Sequence, residues 1–359
     1  MKIFVDILTP KQCMLFSKLS ERLRKRGHQV ILATREYREV VQLLRMKGIE
    51  AKVVGKHGGG KLPDKLEASV KRTLLLTSIM KKEKPDVAIS FSSPETARTA
   101  FGLGIPHVCV NDSPHAEAVA KLTLPLSERL LTPKIIPKKA WTRFGIQANK
   151  IIQYNALDPW AWLKDFQPSE NVLAQLGLDK SRPILTFRPE ETFAAYLLGK
   201  TVKTEIIIPV IKGLTEKFPD SQAVVVPRYE MQTSLLKRSF GRKVAVCQSI
   251  IDAPSLLSFS SVFVGAGGTM TTEAALLGVP TISCYPDKPF LVEKYLIKQG
   301  LIARETDSRK LEARVAEIMS NLERVKREQI DRAQKITESF EDPVNVIADT
   351  ANKFAHNSA

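Results

Sequence analysis

Apolar and polar positions follow two patterns that alternate along the chain: short apolar runs, and longer stretches with apolar residues every three or four positions. Residues 2–7 read as a buried strand. Residues 12–26 read as a helix with Leu15, Leu19 and Leu23 on one face, ended by Gly27. A strand over 29–34, a helix over 36–47 ended by Gly48 and a strand over 51–54 follow. After a loop over 55–64, a helix over 65–83 places Leu66, Val70, Leu74 and Thr77 at the spacing of one helical face. A strand over 86–91, a short helix from about Pro94, a strand over 106–111, a helix over 114–126 and a short strand near 129–132 complete this series. Residues 133–182 change character, with Pro133, Pro137, Pro159 and Pro168 among Trp141, Trp160 and Trp162, and read as crossover and linker. Alternation then resumes: strand 183–187, helix 206–218, strand 222–227, helix 231–238, strand 242–247 and helix 253–259. Residues 308–338 carry Leu311, Val315, Ile318, Leu322 and Val325 as a helical seam, and a last helix over 343–354 follows Pro343. Repeated βα units of this length imply parallel sheets with helices on both faces.

One stretch, Ser260 to Cys284, carries the most specific signal. Val262, Phe263 and Val264 form a strand run ended by Gly265. Gly267 and Gly268 allow a sharp turn and close approach of a ligand to the backbone. A helix opens at about Thr269 and stops at Gly278 and Pro280. Free N–H groups and the positive end of the helix dipole collect at that junction, which suits a phosphate. Glu273, one turn in, would repel the phosphate but can accept hydrogen bonds from two vicinal hydroxyls, as on a ribose. The alternative is that Glu273 only complements the helix dipole. A capping box would need Ser or Thr at position 270, where Met270 stands. Met270 also breaks the Rossmann fingerprint, and Gly199-Lys200-Thr201 lacks the first glycine of a P-loop because Ala194 occupies it.

Gly-Gly-Thr at 267–269, Glu-Ala-Ala at 273–275 and Leu-Gly-Val-Pro at 277–280 together resemble the donor-nucleotide motif of GT-B-fold proteins. That group includes many nucleotide-sugar glycosyltransferases and the non-hydrolysing UDP-N-acetylglucosamine 2-epimerases. The whole chain, from the run Val5-Asp6-Ile7-Leu8-Thr9-Pro10-Lys11-Gln12 to the C-terminal helix, also resembles an uncharacterised archaeal family with a GT-B-like fold. The resemblance implies an α/β architecture of two Rossmann-like parallel-sheet domains facing a central cleft. Residues 1–165 would form the acceptor side and 166–342 the nucleotide-sugar side, with 343–359 a helix packing back on the first domain. It also implies that Gly267, Gly268, Thr269 and Met270 hold a diphosphate, Glu273 a ribose, and Arg188 further phosphate charge. An arginine fork suits that role.

Open parallel sheets bind ligands outside the carboxyl ends of their strands, so the loops there hold the other candidates. Lys11 follows the first strand, where many GT-B transferases have a glycine-rich loop that this chain lacks. It would meet an anion at the next helix start or simply be solvated. Asn111-Asp112-Ser113-Pro114-His115 brings an acid, an amide, a hydroxyl and an imidazole to one strand end, the groups that proton transfer needs. Asp112 and His115 are the candidate bases, with turn formation as the plain alternative. Glu190 and Glu191, after Arg188, are candidates for a base or sugar ligand, or for balancing Arg188. Arg228-Tyr229 closes the next strand and would set Tyr229 against a base or sugar. The Gly58-Gly59-Gly60 loop, flanked by Lys56, His57 and Lys61, is a basic segment that would close over substrate or simply be mobile.

Composition narrows the function class. At 359 residues, 43% hydrophobic and 26% charged, the chain is long enough for two globular domains. Asp6 interrupts the first apolar run, which argues against a signal peptide and for the cytoplasm. Cys13, Cys109, Cys247 and Cys284 stand in apolar contexts without CxxC spacing, as buried reduced thiols do. No metal-ligand spacing appears, and no cofactor is expected beyond a UDP-sugar as donor substrate. A net charge of +16 favours anionic partners. Residues 119–146 mix Lys121, Arg129, Lys134, Lys138, Lys139 and Arg143 with leucines, isoleucines and Trp141. They would touch a membrane surface and a lipid-linked acceptor, or their apolar residues are core. Three readings follow. The first is a metal-independent nucleotide-sugar glycosyltransferase with Asp112 or His115 as base. The second is a 2-epimerase-like enzyme on the same fold. The third is a non-enzymatic nucleotide- or nucleic-acid-binding protein, for which no recognition module is present.

Overall fold

The computed structural model describes residues 1–189 and 206–354. The chain divides into two units, Met1–Trp162 joined by the C-terminal stretch from Phe340, and Leu163–Ser339. The strands of the first are β1 (Lys2–Ile7), β2 (Gln29–Glu36), β3 (Lys52–Lys56), β4 (Val87–Ser90), β5 (His107–Val110), β6 (Arg129–Pro133) and β7 (Ile151–Tyr154). They form one parallel sheet in the order β3-β2-β1-β4-β5-β6-β7. The second unit holds β8 (Ile184–Arg188), β9 (Gln222–Val225), β10 (Val244–Val246), β11 (Val262–Gly265), β12 (Thr281–Ser283) and β13 (Ile302–Arg304). Its parallel sheet runs β10-β9-β8-β11-β12-β13. Each order reverses direction once, at β1/β4 and at β8/β11, and such switch points are where open sheets bind ligands.

Each unit has its own core. In the second, Leu185 and Phe187 of β8 and Val262 and Val264 of β11 pack on Ile207, Ile211 and Leu214 of the helix Ile207–Lys217. In the first, Leu15, Leu19 and Leu23 of the helix Pro10–Lys25 are fully buried, as their spacing predicts. A buried ion pair ties β1 to the helix Leu62–Glu83. The Arg72 guanidinium donates to both Asp6 oxygens at 2.6 and 2.9 Å and to the Val54 carbonyl at 2.9 Å. Thr96 donates to the same carboxylate at 2.6 Å. Burial pushes the Asp6 carboxyl up, but Arg72 and these donors outweigh it and hold it below its ordinary value. The last helix, Pro343–Asn352, packs on Pro10–Lys25, with Arg26 bridging to Asp349 at 2.6 Å and His28 to Asn352 at 2.7 Å.

Two expectations are corrected. Residues 133–182 are not a linker throughout: β7 adds an edge strand to the first sheet, and its four residues are too few to show a period. The helix over 308–338 is two helices, Ser308–Ser320 and Leu322–Thr337, broken at Asn321. Leu311 and Val315 are buried, whereas Leu322 and Val325 beyond the break are only half-buried. Of the two readings of 119–146, core holds for Leu124, Leu130, Leu131, Ile136 and Trp141, which are fully buried, whereas Leu122 is exposed. In the Gly58–Gly60 loop, Gly58 is packed while Gly59 and Gly60 stand open to solvent. A Cβ on Gly58 would stand 2.5 Å from the Lys65 Cα, and His57 stacks on Tyr37 at 5.0 Å while accepting from the Gly59 N–H. All four cysteines are buried and free.

Candidate functional site

In the second unit, β11 ends at Gly265 directly beside Arg188, the last residue of β8, and the Ala266 N–H donates to the Arg188 carbonyl at 3.1 Å. The chain then turns through Gly267 and Gly268 at φ +75° and +91°, the left-handed region that favours glycine. The helix Thr269–Leu276 starts from that turn, with Gly268 at its N-cap position. Gly268 is exposed, Thr269 and Met270 are half-buried, and Glu273 is buried one turn in. A guanidinium braces the turn. Arg228 donates through Nε to the Pro189 carbonyl at 2.9 Å and through Nη2 to the Gly267 carbonyl at 3.3 Å. A Cβ on Gly268 would lie 3.3 Å from Arg228 Nη2, so the absence of a side chain brings that charge up to the backbone. Arg188 reaches the other way and donates to the Val226 and Pro227 carbonyls at 2.9 and 2.8 Å. Two guanidiniums, a left-handed turn and a helix start thus lie together at this strand end.

A buried acid stands on the far side of the same turn. Glu293 of the helix Leu291–Lys298 lies 3.6 Å from where a Gly267 Cβ would be, next to the Tyr285 ring at 3.8 Å. Burial pushes the Glu293 carboxyl up, against the pull of Ser283 and Arg304.

In the first unit, the carboxyl ends of β1, β4, β5 and β7 bring a second set of groups together. Lys11, at the start of the helix after β1, has its ammonium 2.5 Å from Asp112 and 2.6 Å from Asp158, and 4.5 Å from the centre of the Phe91 ring. Tyr154 donates its hydroxyl proton to the other Asp158 oxygen. Ser113 donates to Asp112 at 2.8 Å, and its N–H donates to Asn111 at 2.7 Å. Burial depresses the Lys11 ammonium, but the two carboxylates outweigh it and hold it above its ordinary value. Burial lifts the Asp112 carboxyl, but Lys11 and the Ser113 hydroxyl bring it below the ordinary range. Asp158 is pushed up to about 6 by burial, against the pull of Lys11 and with the repulsion of Asp112. Burial also takes the His115 imidazole down to about 4, which leaves it neutral near pH 7. The side chains of Lys11 and Asp112 keep 17% and 15% of their surface exposed and Asp158 none, so Asp112 is the carboxylate a substrate can reach.

The family model described as "Protein of unknown function (DUF354)" matches residues 1–356. The chain belongs to the DUF354 family. It is 33% identical over 314 residues to the uncharacterized protein MJ0665 of Methanocaldococcus jannaschii, covering 86% of this chain and 89% of that protein. Among solved structures it is similar to the UDP-GlcNAc 2-epimerase of Neisseria meningitidis bound to UDP-GlcNAc, with TM-score 0.74, 15% identity, and coverage of 98% of this chain and 100% of that one. It is also similar to the glycotransferase of kitacinnamycin, with TM-score 0.62, 15% identity and 98% coverage of each chain. Identities this low show the fold alone. That fold is GT-B-like, with two parallel-sheet α/β domains.

Of the residues singled out from this DUF354 sequence, the structure gathers Arg188, Gly267, Gly268, Thr269, Met270 and Glu273 around one strand end and helix start. Met270 sends its side chain against the apolar clusters around Leu256 and Phe263, so only its backbone remains for a ligand. Asp112 and His115 sit in the other unit beside Lys11. Lys11 is not an anion site, because both neighbouring carboxylates claim its charge. Glu190 lies outside the described residues. Sequence reasoning missed Asp158, Tyr154 and Glu293. Tyr154 ends, and Asp158 follows, a strand hidden in the supposed linker. For Glu293 there was no signal, since Phe290-Leu291-Val292-Glu293 reads as any helix start.

Proposed function

We propose that this protein is a nucleotide-sugar enzyme of GT-B type that takes a UDP-sugar and transfers its glycosyl group without a metal. The observation that carries this is the left-handed Gly267–Gly268 turn braced by Arg228 at the start of the helix bearing Glu273. In this reading the turn and Arg228 hold the diphosphate, with Arg188 adding charge. Glu273 accepts hydrogen bonds from the ribose hydroxyls. Asp112, kept ionised by Lys11, takes the proton from an acceptor hydroxyl as that oxygen bonds to the sugar and the nucleoside diphosphate leaves. His115 is a second neutral acceptor close to Asp112. A second reading is epimerisation at the sugar. It is favoured by Lys11, Asp112, Asp158 and Tyr154 forming one cluster, since removal and return of a proton needs more than one such group. It also accords with the solved UDP-GlcNAc 2-epimerase to which the chain is similar.

Thermal melting with UDP and UDP-sugars tests the shared core of both readings. Binding is expected to raise Tm by an amount equivalent to about 2.7 kcal/mol at a hundredfold excess over Kd. Glu273→Ala and Arg228→Ala should each remove most of that shift. No shift with any nucleoside diphosphate at millimolar concentration would refute the donor site. Turnover of a UDP-sugar with no acceptor present would select epimerisation over transfer.

A further inference from the structure

Near the carboxyl end of β2, Arg35 carries a charge that the fold does not answer. Its Nε is fully buried without a hydrogen-bond partner, and among the described residues no carboxylate comes within ion-pair distance of its guanidinium. A desolvated cation left so is costly, and such a group calls for an explanation. The nearby acids are spoken for. Asp6 is held by Arg72 at 2.6 and 2.9 Å, and Glu95 accepts from the Ser93 hydroxyl at 3.1 Å. Burial holds the Arg35 guanidinium below its ordinary value, against the pull of Glu95 and Asp6 and with the repulsion of Arg72. Glu36 and Asp64, beside Arg35 and Lys65 in sequence, are exposed to solvent. The sheet itself sets this position apart. Between the pairs Thr34–Val53 and Glu36–Lys56 the register shifts, so that Val54 and Gly55 of β3 stand against Arg35 alone, with Gly55 at φ +68°. Bulges of this kind re-aim side chains beside binding sites.

Two further donors stand around the same point. His57, in the loop after β3, stacks on the Tyr37 ring at 5.0 Å, and the Arg35 guanidinium lies 5.9 Å from the centre of that ring. The Gly59 N–H donates to His57 Nδ1 at 3.0 Å, so the neutral imidazole carries its proton on Nε2 and is a donor there. Lys65, at the start of the helix Leu62–Glu83, is half-buried, and among the described residues its ammonium has no ion-pair partner. Burial takes the His57 imidazole down to about 4, and repulsion from Arg35 and Lys65 adds to this, so both charges lie close to the ring. We propose that Arg35, His57 and Lys65 form a subsite for a phosphomonoester group. Its oxygens supply the acceptors that the guanidinium fork and the Nε2–H lack. Two cations and one neutral donor match its two charges better than the single charge of a carboxylate. A ligand held here by its phosphate lies on the same edge of the first sheet as Lys11 and Asp112, since all seven strands are parallel. The subsite belongs to the first unit and does not depend on the donor turn.

Proton NMR of the His57 ring reads this subsite in the full chain, with its signals assigned by their loss in His57→Asn. Inorganic phosphate at pH 7.5 should shift them saturably, acetate more weakly, and chloride at equal ionic strength not at all. Arg35→Gln should weaken the phosphate response by about tenfold, the worth of a charge-assisted hydrogen bond. Without phosphate, that variant should melt no lower than the parent chain, because its removal strands no partner; an arginine with a merely structural role would lower Tm when replaced. The rise in Tm with UDP reads the donor turn and the His57 signals read this subsite, so either can fail without the other. No saturable shift with phosphate, an equal shift with chloride or acetate, or an undiminished response in Arg35→Gln overturns the proposal. So does a fall in Tm of Arg35→Gln in the absence of phosphate.

Discussion

Asp158 shows how one position sets the character of a site. Its carboxyl is fully buried, and its neighbours are an ammonium, a second carboxylate and a phenol. Its value of about 6 lies above the ordinary 3.8, so the folded chain holds the proton more tightly than the unfolded chain. The stability this contributes is fully present below about 3.8 and is lost as pH rises through about 6. Asp158→Asn removes that loss. Melting curves at pH 4.5 and 7.5 should therefore show the variant gaining on the parent as pH rises, by on the order of 2 kcal/mol. A difference that does not change with pH would mean that Asp158 is not the titrating group. Asp112 behaves oppositely, since the Lys11 charge overcomes burial and keeps it ionised to lower pH.

At the level of elements, the helix Thr269–Leu276 is fixed at both ends by glycine, for different reasons. At its start Gly267 and Gly268 supply left-handed backbone. Just past its end Gly278, at φ +72°, lies against the helix Leu322–Thr337, where an added Cβ would stand 2.7 Å from the Ile330 Cα and 3.1 Å from its nitrogen. Backbone atoms cannot step aside as a side chain tip can. Gly278→Ala should therefore cost about 2–4 kcal/mol by displacing that helix and straining the cap. Denaturant titration will read the loss, and Leu277→Ala provides a comparison without the clash. Because the same helix presents Glu273, the nucleotide-induced rise in Tm should shrink with Gly278→Ala as well.

The whole molecule consists of two sheets with separate cores, and each of the two candidate sites belongs wholly to one of them. Calorimetry should resolve this. Arg72→Ala strands the Asp6 carboxylate in the first unit and should lower the transition of that unit by about 3–5 kcal/mol. UDP should raise the transition of the second unit. A single transition that both perturbations move equally would show the two cores to be one cooperative system. Among the described residues no helix is long and apolar enough to cross a membrane.

The sequence by itself determined the alternation of strands and helices, the two parallel sheets and the glycine turn at 265–268. Those are local matters, written in the period of apolar residues and in the few residues that tolerate a left-handed backbone. It also marked Arg188, Asp112 and Glu273, because strand ends and helix starts are legible from the same pattern. Only the tertiary structure decided that the Leu66 face points to solvent, since a four-residue period is the same whether the stripe meets a core or solvent. It alone brought Lys11, Asp112, Tyr154 and Asp158 together from three strand ends, and Arg228 to the Gly267 carbonyl. A charge has no periodicity, and its partner is chosen by which strands the sheet sets side by side.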